Sequence, residues 1–118
     1  MRIINAESVA KCLPYSDLIE KLRVAFTQDT CAPERTNHTI KNTQDSASSL
    51  LLMPAWKQEE SIGIKIVSVF PENTANNLSA VHANYILMSA KDGIPKAVMD
   101  GSELTLRRTA CASALAAD

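Results

Sequence analysis

Two places in the sequence put fixed positive charge inside apolar surroundings. Lys65 stands at the centre of Ile62-Gly-Ile-Lys-Ile-Val-Ser-Val-Phe70, and Arg107-Arg108 lies in the early turns of an alanine-rich segment that runs from Ser102 to Ala117. A lysine in such a strand must either snorkel its ammonium to water or meet an anion, because burying it unpaired is costly. For the arginines, a surface salt bridge and an anion site are both open readings. Neighbouring residues on a helix point about 100° apart, so only one of the two can face a given ligand and the other belongs to the surface.

Other reactive side chains have no such setting. Cys12, Cys31 and Cys111 are odd in number and show no CxxC spacing, which argues against a disulfide framework and against zinc. Each reads as a small apolar residue. His38 and His82 are far apart, with no cysteine or histidine at ligand spacing, so no metal site is expected. His82 sits early in a strand, where a hydrogen-bonded structural histidine is the simpler reading.

The elements that must position these cations follow from pattern. Arg2 to Asn5 reads as a short strand, and Asn5 can cap a brief helix through Cys12 that ends before Pro14. Leu18, Ile19, Leu22, Ala25 and Phe26 then recur at helical spacing opposite Glu20, Lys21 and Arg23, which predicts a second helix from Pro14 to about Gln28. The polar stretch from Asp29 to Ser49 is too long for a bare loop in a compact domain and should hold a β segment around Asn37 to Asn42. Ser49 to Pro54 reads as a buried strand stopped by its proline, followed by a charged turn from Trp56 to Ser61.

The run from Ile62 to Phe70 is the strongest strand in the chain, rich in β-branched residues and closed by Pro71. Alternation puts Ile62, Ile64, Ile66 and Phe70 on one face and Gly63, Lys65, Val67 and Val69 on the other. Val81 to Ala90 and Ile94 to Met99 predict an antiparallel pair joined at Asp92-Gly93. The Asn-rich link from Pro71 to Leu78 suits a surface loop. Asp100-Gly101 turns the chain into the last helix, with Ser102 as its expected cap.

Composition sets the frame. The 118 residues are 46% apolar with a net charge of −1, in the range of one globular domain, and the 12 basic and 13 acidic residues are interspersed without a run of one sign. Neither nucleic acid nor a membrane surface is implied as a partner. No apolar stretch approaches the roughly 18 residues of a membrane span, and no signal peptide opens the chain, so a cytoplasmic protein is expected. The last helix breaks off at Asp118 without a glycine or asparagine cap and without a basic last turn, which reads as the front part of a longer protein.

Four motifs together carry a resemblance. Leu52-Met-Pro-Ala-Trp56, Gly63-Ile-Lys-Ile-Val67, Phe70-Pro-Glu-Asn73 and Asp100-Gly-Ser-Glu-Leu-Thr-Leu-Arg-Arg-Thr-Ala110, in this order and spacing, resemble the amino-terminal part of the ornithine cyclodeaminase and mu-crystallin family. The resemblance covers essentially the whole chain. It implies a two-domain subunit, in which an α+β substrate-binding and dimerisation domain with a mixed, largely antiparallel sheet and packed helices is joined to a Rossmann domain for NADPH or NADH. Residues 1–118 correspond to the amino-terminal portion of the first domain, ending in the helix that leads to the second. No GxGxxG occurs in this chain, so alone it is expected neither to bind a dinucleotide well nor to transfer hydride.

The resemblance also implies site residues. Arg35, in Pro33-Glu-Arg-Thr36, matches an arginine that grips the substrate carboxylate. Lys65 matches a lysine near that carboxylate and the reacting carbon, and is the catalytic candidate. Arg108 matches a third cation, which leaves Arg107 as the surface residue of its pair, and Thr109 is a candidate contact to the cofactor. Guanidinium forks suit a planar carboxylate through charge-assisted hydrogen bonds, and fixing it would orient a C=N carbon toward the nicotinamide. Cyclodeaminases of the family carry a glutamate two positions before the Met-Pro pair, where this chain has Leu51. The resemblance therefore favours the branch that reduces cyclic ketimines such as Δ1-pyrroline-2-carboxylate and Δ1-piperideine-2-carboxylate, as a homodimer. The alternatives are ornithine cyclodeaminase, alanine dehydrogenase-like activity, and a mu-crystallin-like binding protein for small ligands.

Overall fold

The computed structural model describes residues 1–14, 17, 18, 20, 30–41 and 46–117. The second helix expected from the sequence lies largely outside the described residues. The described elements are β1 (Arg2–Ile4), α1 (Ala6–Cys12), β2 (Thr36–Lys41), β3 (Ala47–Lys57), β4 (Ser61–Val69), a 3-10 helix (Pro71–Asn76), β5 (Val81–Ser89), β6 (Pro95–Asp100) and α2 (Gly101–Ala117). The strands form one six-stranded sheet in the order β1-β6-β5-β4-β3-β2. All neighbours are antiparallel except β1 and β6, so the sheet is mixed and largely antiparallel, as expected.

Local chemistry accounts for most boundaries. Asn5 caps α1 by accepting from the Ser8 amide at 2.9 Å, which satisfies one of the free amides of the first turn. The β5–β6 hairpin turns where the Asp92 carboxylate accepts from the Ile94 amide at 3.1 Å. The Pro71 link is not an open loop but a 3-10 turn, with the Asn73 amide group donating to the Ser79 carbonyl at 3.0 Å.

Two expectations are corrected. Pro54 does not stop its strand, since β3 continues to Lys57. Trp56 donates its amide to Cys31 across the β2 side, and Pro54, two residues earlier, turns its donorless nitrogen to the same side. There the regular β2 pairing has already ended at Thr36 with Leu52, so no ladder hydrogen bond is lost. The cap of α2 is Asp100 rather than Ser102: its carboxylate accepts from the Glu103 amide at 2.8 Å, because the helix begins at Gly101.

The sheet has two chemically different faces. One cross-strand row runs Ile4, Met99, Tyr85, Lys65, Met53 through four successive pairings, and these side chains face α1 and α2. The adjacent row runs Ile3, Val98, Ile86, Ile64, Pro54, and the pleat turns it to the opposite face. Under the helices the sheet buries small or slender residues, Val67, Ala83 and Ala97, all at 9% exposure or less, against Val9 of α1 and Leu18. Gly101 is required at this contact, because a Cβ there would stand 2.8 Å from the Ala83 backbone carbon and 2.9 Å from the Asn84 nitrogen. α2 can therefore leave β6 and lie directly on β5.

Candidate substrate site

A pocket of about 630 Å³ lies between the Lys65 face of the sheet and the two helices. Its floor is the cross-strand row from Ile4 to Met53. Val9, Cys12 and Leu13 of α1 and its exit wall one side, together with Leu18. Leu104, Thr105, Arg108 and Thr109, on successive turns of α2, wall the other.

Lys65 reaches this pocket because period-two alternation in β4 commits it to the helix-covered face, along with Gly63 and Val67. Arg108 reaches it because Leu104, Thr105, Arg108 and Thr109 fall at helical spacing on one side of α2. Two cations thus share a lining that is otherwise mostly apolar and, among the described residues, contains no aspartate or glutamate. Neither cation has a carboxylate partner among the described residues. Lys65 is half-buried and Arg108 exposed, so both can offer charge-assisted hydrogen bonds to an anion that enters the pocket.

Thr109 lines the same pocket and is exposed. Arg35 is exposed and is not among the lining residues. It directly precedes Thr36, the first residue of β2, whose partner is Leu52. The structure thus brings Lys65, Arg108 and Thr109 together and leaves Arg35 at the rim of the sheet.

Arg107 corrects the sequence expectation. Its side chain is only 16% exposed, donating to the Glu103 carboxylate at 2.8 Å and to the Leu13 carbonyl at 2.8 Å. It is an internal tie between α2 and the end of α1, while Arg108 is the more exposed of the two.

Tyr85 is the pocket residue that sequence reading missed. It pairs directly with Lys65, and its phenol lies across β4 over Gly63. Burial pushes its hydroxyl pKa up. The signal available in the sequence was Gly63 itself, since a glycine inside a strong strand often marks a close approach by another group.

Comparison with known proteins agrees with this architecture. The model of the ornithine cyclodeaminase/mu-crystallin family matches residues 2–118. A Delta(1)-pyrroline-2-carboxylate reductase of Colwellia psychrerythraea is 34% identical over 118 residues, covering 98% of this chain and 36% of that protein. Protein SAR DEFICIENT 4 of Arabidopsis thaliana is 39% identical over 118 residues, covering 95% of this chain and 35% of its own. The solved Thermococcus litoralis Delta(1)-pyrroline-2-carboxylate reductase, in complex with NADH and L-proline, superposes with a TM-score of 0.77 at 30% identity, over 96% of this chain and 36% of that one. The chain spans about a third of the length of these relatives. With the family match running through nearly every residue and the fold shared, the chain belongs to the ornithine cyclodeaminase/mu-crystallin family.

Proposed function

We propose that this chain forms the substrate-binding part of an NAD(P)H-dependent reductase of cyclic imino acids, converting Δ1-pyrroline-2-carboxylate or Δ1-piperideine-2-carboxylate to proline or pipecolate. The carrying observation is the pair Lys65 and Arg108, lining one pocket with no described carboxylate to answer them. The relatives named Delta(1)-pyrroline-2-carboxylate reductase support the same reading.

In this reading Arg108 and Lys65 hold the substrate carboxylate, with Arg35 closing on it from the segment before β2. Lys65, beside both the carboxylate and the reacting carbon, is the catalytic residue of the set. The apolar lining from Ile4, Val9, Leu13 and Met99 suits ring methylenes. Leu51 lies on the same face as Met53, one alternation along, so the position of the cyclodeaminase glutamate offers no charge to a substrate ammonium. Holding the carboxylate fixes the imine carbon, and positioning of this kind is worth several powers of ten in rate.

A bound nicotinamide would supply the hydride. The chain's own residues do not fit its pyrophosphate: Gly63 is covered by Tyr85, Gly93 sits in a hairpin, and Gly101 is packed against β5. That cradle belongs to a further domain of the kind found in two-domain members of the family, with residues 1–118 as the front of the first domain. In this reading Thr109, exposed and lining the same pocket as Arg108, contacts the cofactor.

The outer sheet face supports assembly with a second copy. Ile3 is 86% exposed and Trp56 39% exposed on the face that carries Val98, Ile86, Ile64 and Ile62, an apolar surface suited to pairing with its own like. Exposed free thiols at Cys12 and Cys31 suit a reducing cytoplasm. Among the described residues no helix is long and apolar enough to cross a membrane.

The test is NADPH and NADH oxidation by the complete protein. Steady oxidation with Δ1-pyrroline-2-carboxylate, and no ammonia released from ornithine, is the expected result. Ammonia release would make it a cyclodeaminase, and tight ligand binding without turnover would make it a carrier.

A further inference from the structure

Lys65 and Tyr85 occupy directly opposed positions on neighbouring strands, so their side chains rise from the sheet side by side. The tyrosine does not stand upright. The position a Cβ would take on Gly63 is already occupied by the Tyr85 hydroxyl oxygen and Cζ, so the phenol reaches over β4 and fills the space a side chain at residue 63 would need. Any other residue at 63 would displace the tip of the ring. The strand gives up packing and conformational entropy at a buried glycine to seat one phenol.

That hydroxyl has no hydrogen-bond partner among the described residues, although Tyr85 lines the pocket. Burial raises its pKa above the ordinary 10.0, so at neutral pH it remains a protonated donor. A neutral donor that shares a lining with two cations, neither of which has a carboxylate partner among the described residues, can bind the same anion that they bind.

We propose that Tyr85 determines substrate specificity in this pocket: its ring is the floor under the imino-acid ring, and its hydroxyl donates a hydrogen bond to the carboxylate held by Lys65 and Arg108. The proposal rests on the reading of the pocket as a carboxylate site. Gly63 is then part of the specificity device, because it sets the height of the floor.

The experiment compares Tyr85→Phe, Gly63→Ala and Arg108→Ala in the complete protein, with Δ1-pyrroline-2-carboxylate and Δ1-piperideine-2-carboxylate as probes. Tyr85→Phe keeps the floor and removes the donor. It should raise KM for both probes about tenfold, the loss expected for a hydrogen bond to a charged group. Gly63→Ala lifts the phenol and should shift the kcat/KM ratio between the five- and six-membered rings at least about threefold, a change that general loss of folded protein cannot produce. If Arg108→Ala raises KM while Tyr85→Phe changes it less than twofold, the tyrosine assignment is overturned and the carboxylate site stands. If Arg108→Ala also leaves KM unchanged, the carboxylate site itself falls. Should Gly63→Ala fold poorly, the Tyr85→Phe comparison decides alone.

Discussion

The Arg107 guanidinium donates to the carbonyl of Leu13 at 2.8 Å across 94 residues of sequence, and to Glu103 one turn back at 2.8 Å. This bond ties α2 to the carbonyl of the residue that caps the end of α1, and Leu13 itself lines the pocket. Because Arg108 follows one residue later, about 100° round the helix, the same bond sets the direction in which Arg108 points. One arginine of the adjacent pair is spent on structure and the other is left for a ligand.

Replacing Arg107 by methionine should therefore act twice. The stem is kept, but the Leu13 carbonyl and the Glu103 carboxylate lose a charged donor, which should cost about 1.5–3 kcal/mol in urea unfolding. Substrate KM should rise as Arg108 loses its fixed bearing, with partial rescue by Arg107→Lys. A stability loss with KM unchanged would separate the tie from the site.

Arg108→Ala and Lys65→Met each remove one cation from the pocket. Each should raise KM for a cyclic imino acid tenfold or more, with NADPH affinity nearly intact. Equilibrium titration of the complete protein with NADPH, alongside steady-state kinetics, checks both halves of this expectation.

Ile86 lies at the centre of the outward row, between Ile64 and Val98. A charge there is incompatible with a dry interface between two copies. Ile86→Lys should convert a dimer to a monomer in light scattering of the complete protein, while a substitution on the exposed 3-10 turn, Glu72→Lys, should leave its mass unchanged.

The raised pKa of Tyr85 carries a pH dependence of stability. Its folded-state value lies above the ordinary 10.0, so the native protein holds this proton more tightly than the unfolded chain. The contribution is fully present below about pH 10 and is lost as pH rises through the folded value. Urea midpoints from pH 8 to 11 should fall more steeply for the wild type than for Tyr85→Phe. Parallel slopes would show that the phenol ionises as freely in the fold as outside it.

Most of the sheet was legible in the sequence, since β-branched runs with period-two alternation and an Asp-Gly turn are local signals. β4, β5 and β6 lie within a residue or two of the ranges those signals predict. The face of β4 that carries Lys65 was readable for the same reason. Local signals failed where the answer depended on a neighbouring strand or helix. Pro54 looks like a strand stop, but the tolerance of its missing donor depends on where β2 ends. Asp100 and Ser102 are both good caps, and only the start of α2 against β5 selects the first.

The site divides along the same line. By itself the sequence determined that Lys65 needs water or an anion and that Arg107 and Arg108 must part company, because strand alternation and helix pitch are properties of the local backbone. The motif match already pointed to Arg108 as the ligand arginine; tertiary structure alone decided that Arg107 is an internal tie, through the carbonyl of Leu13, and which residue shares the floor with Lys65, through the register that sets Tyr85 beside it and over Gly63. Those outcomes rest on contacts between segments tens of residues apart, and no local pattern records them.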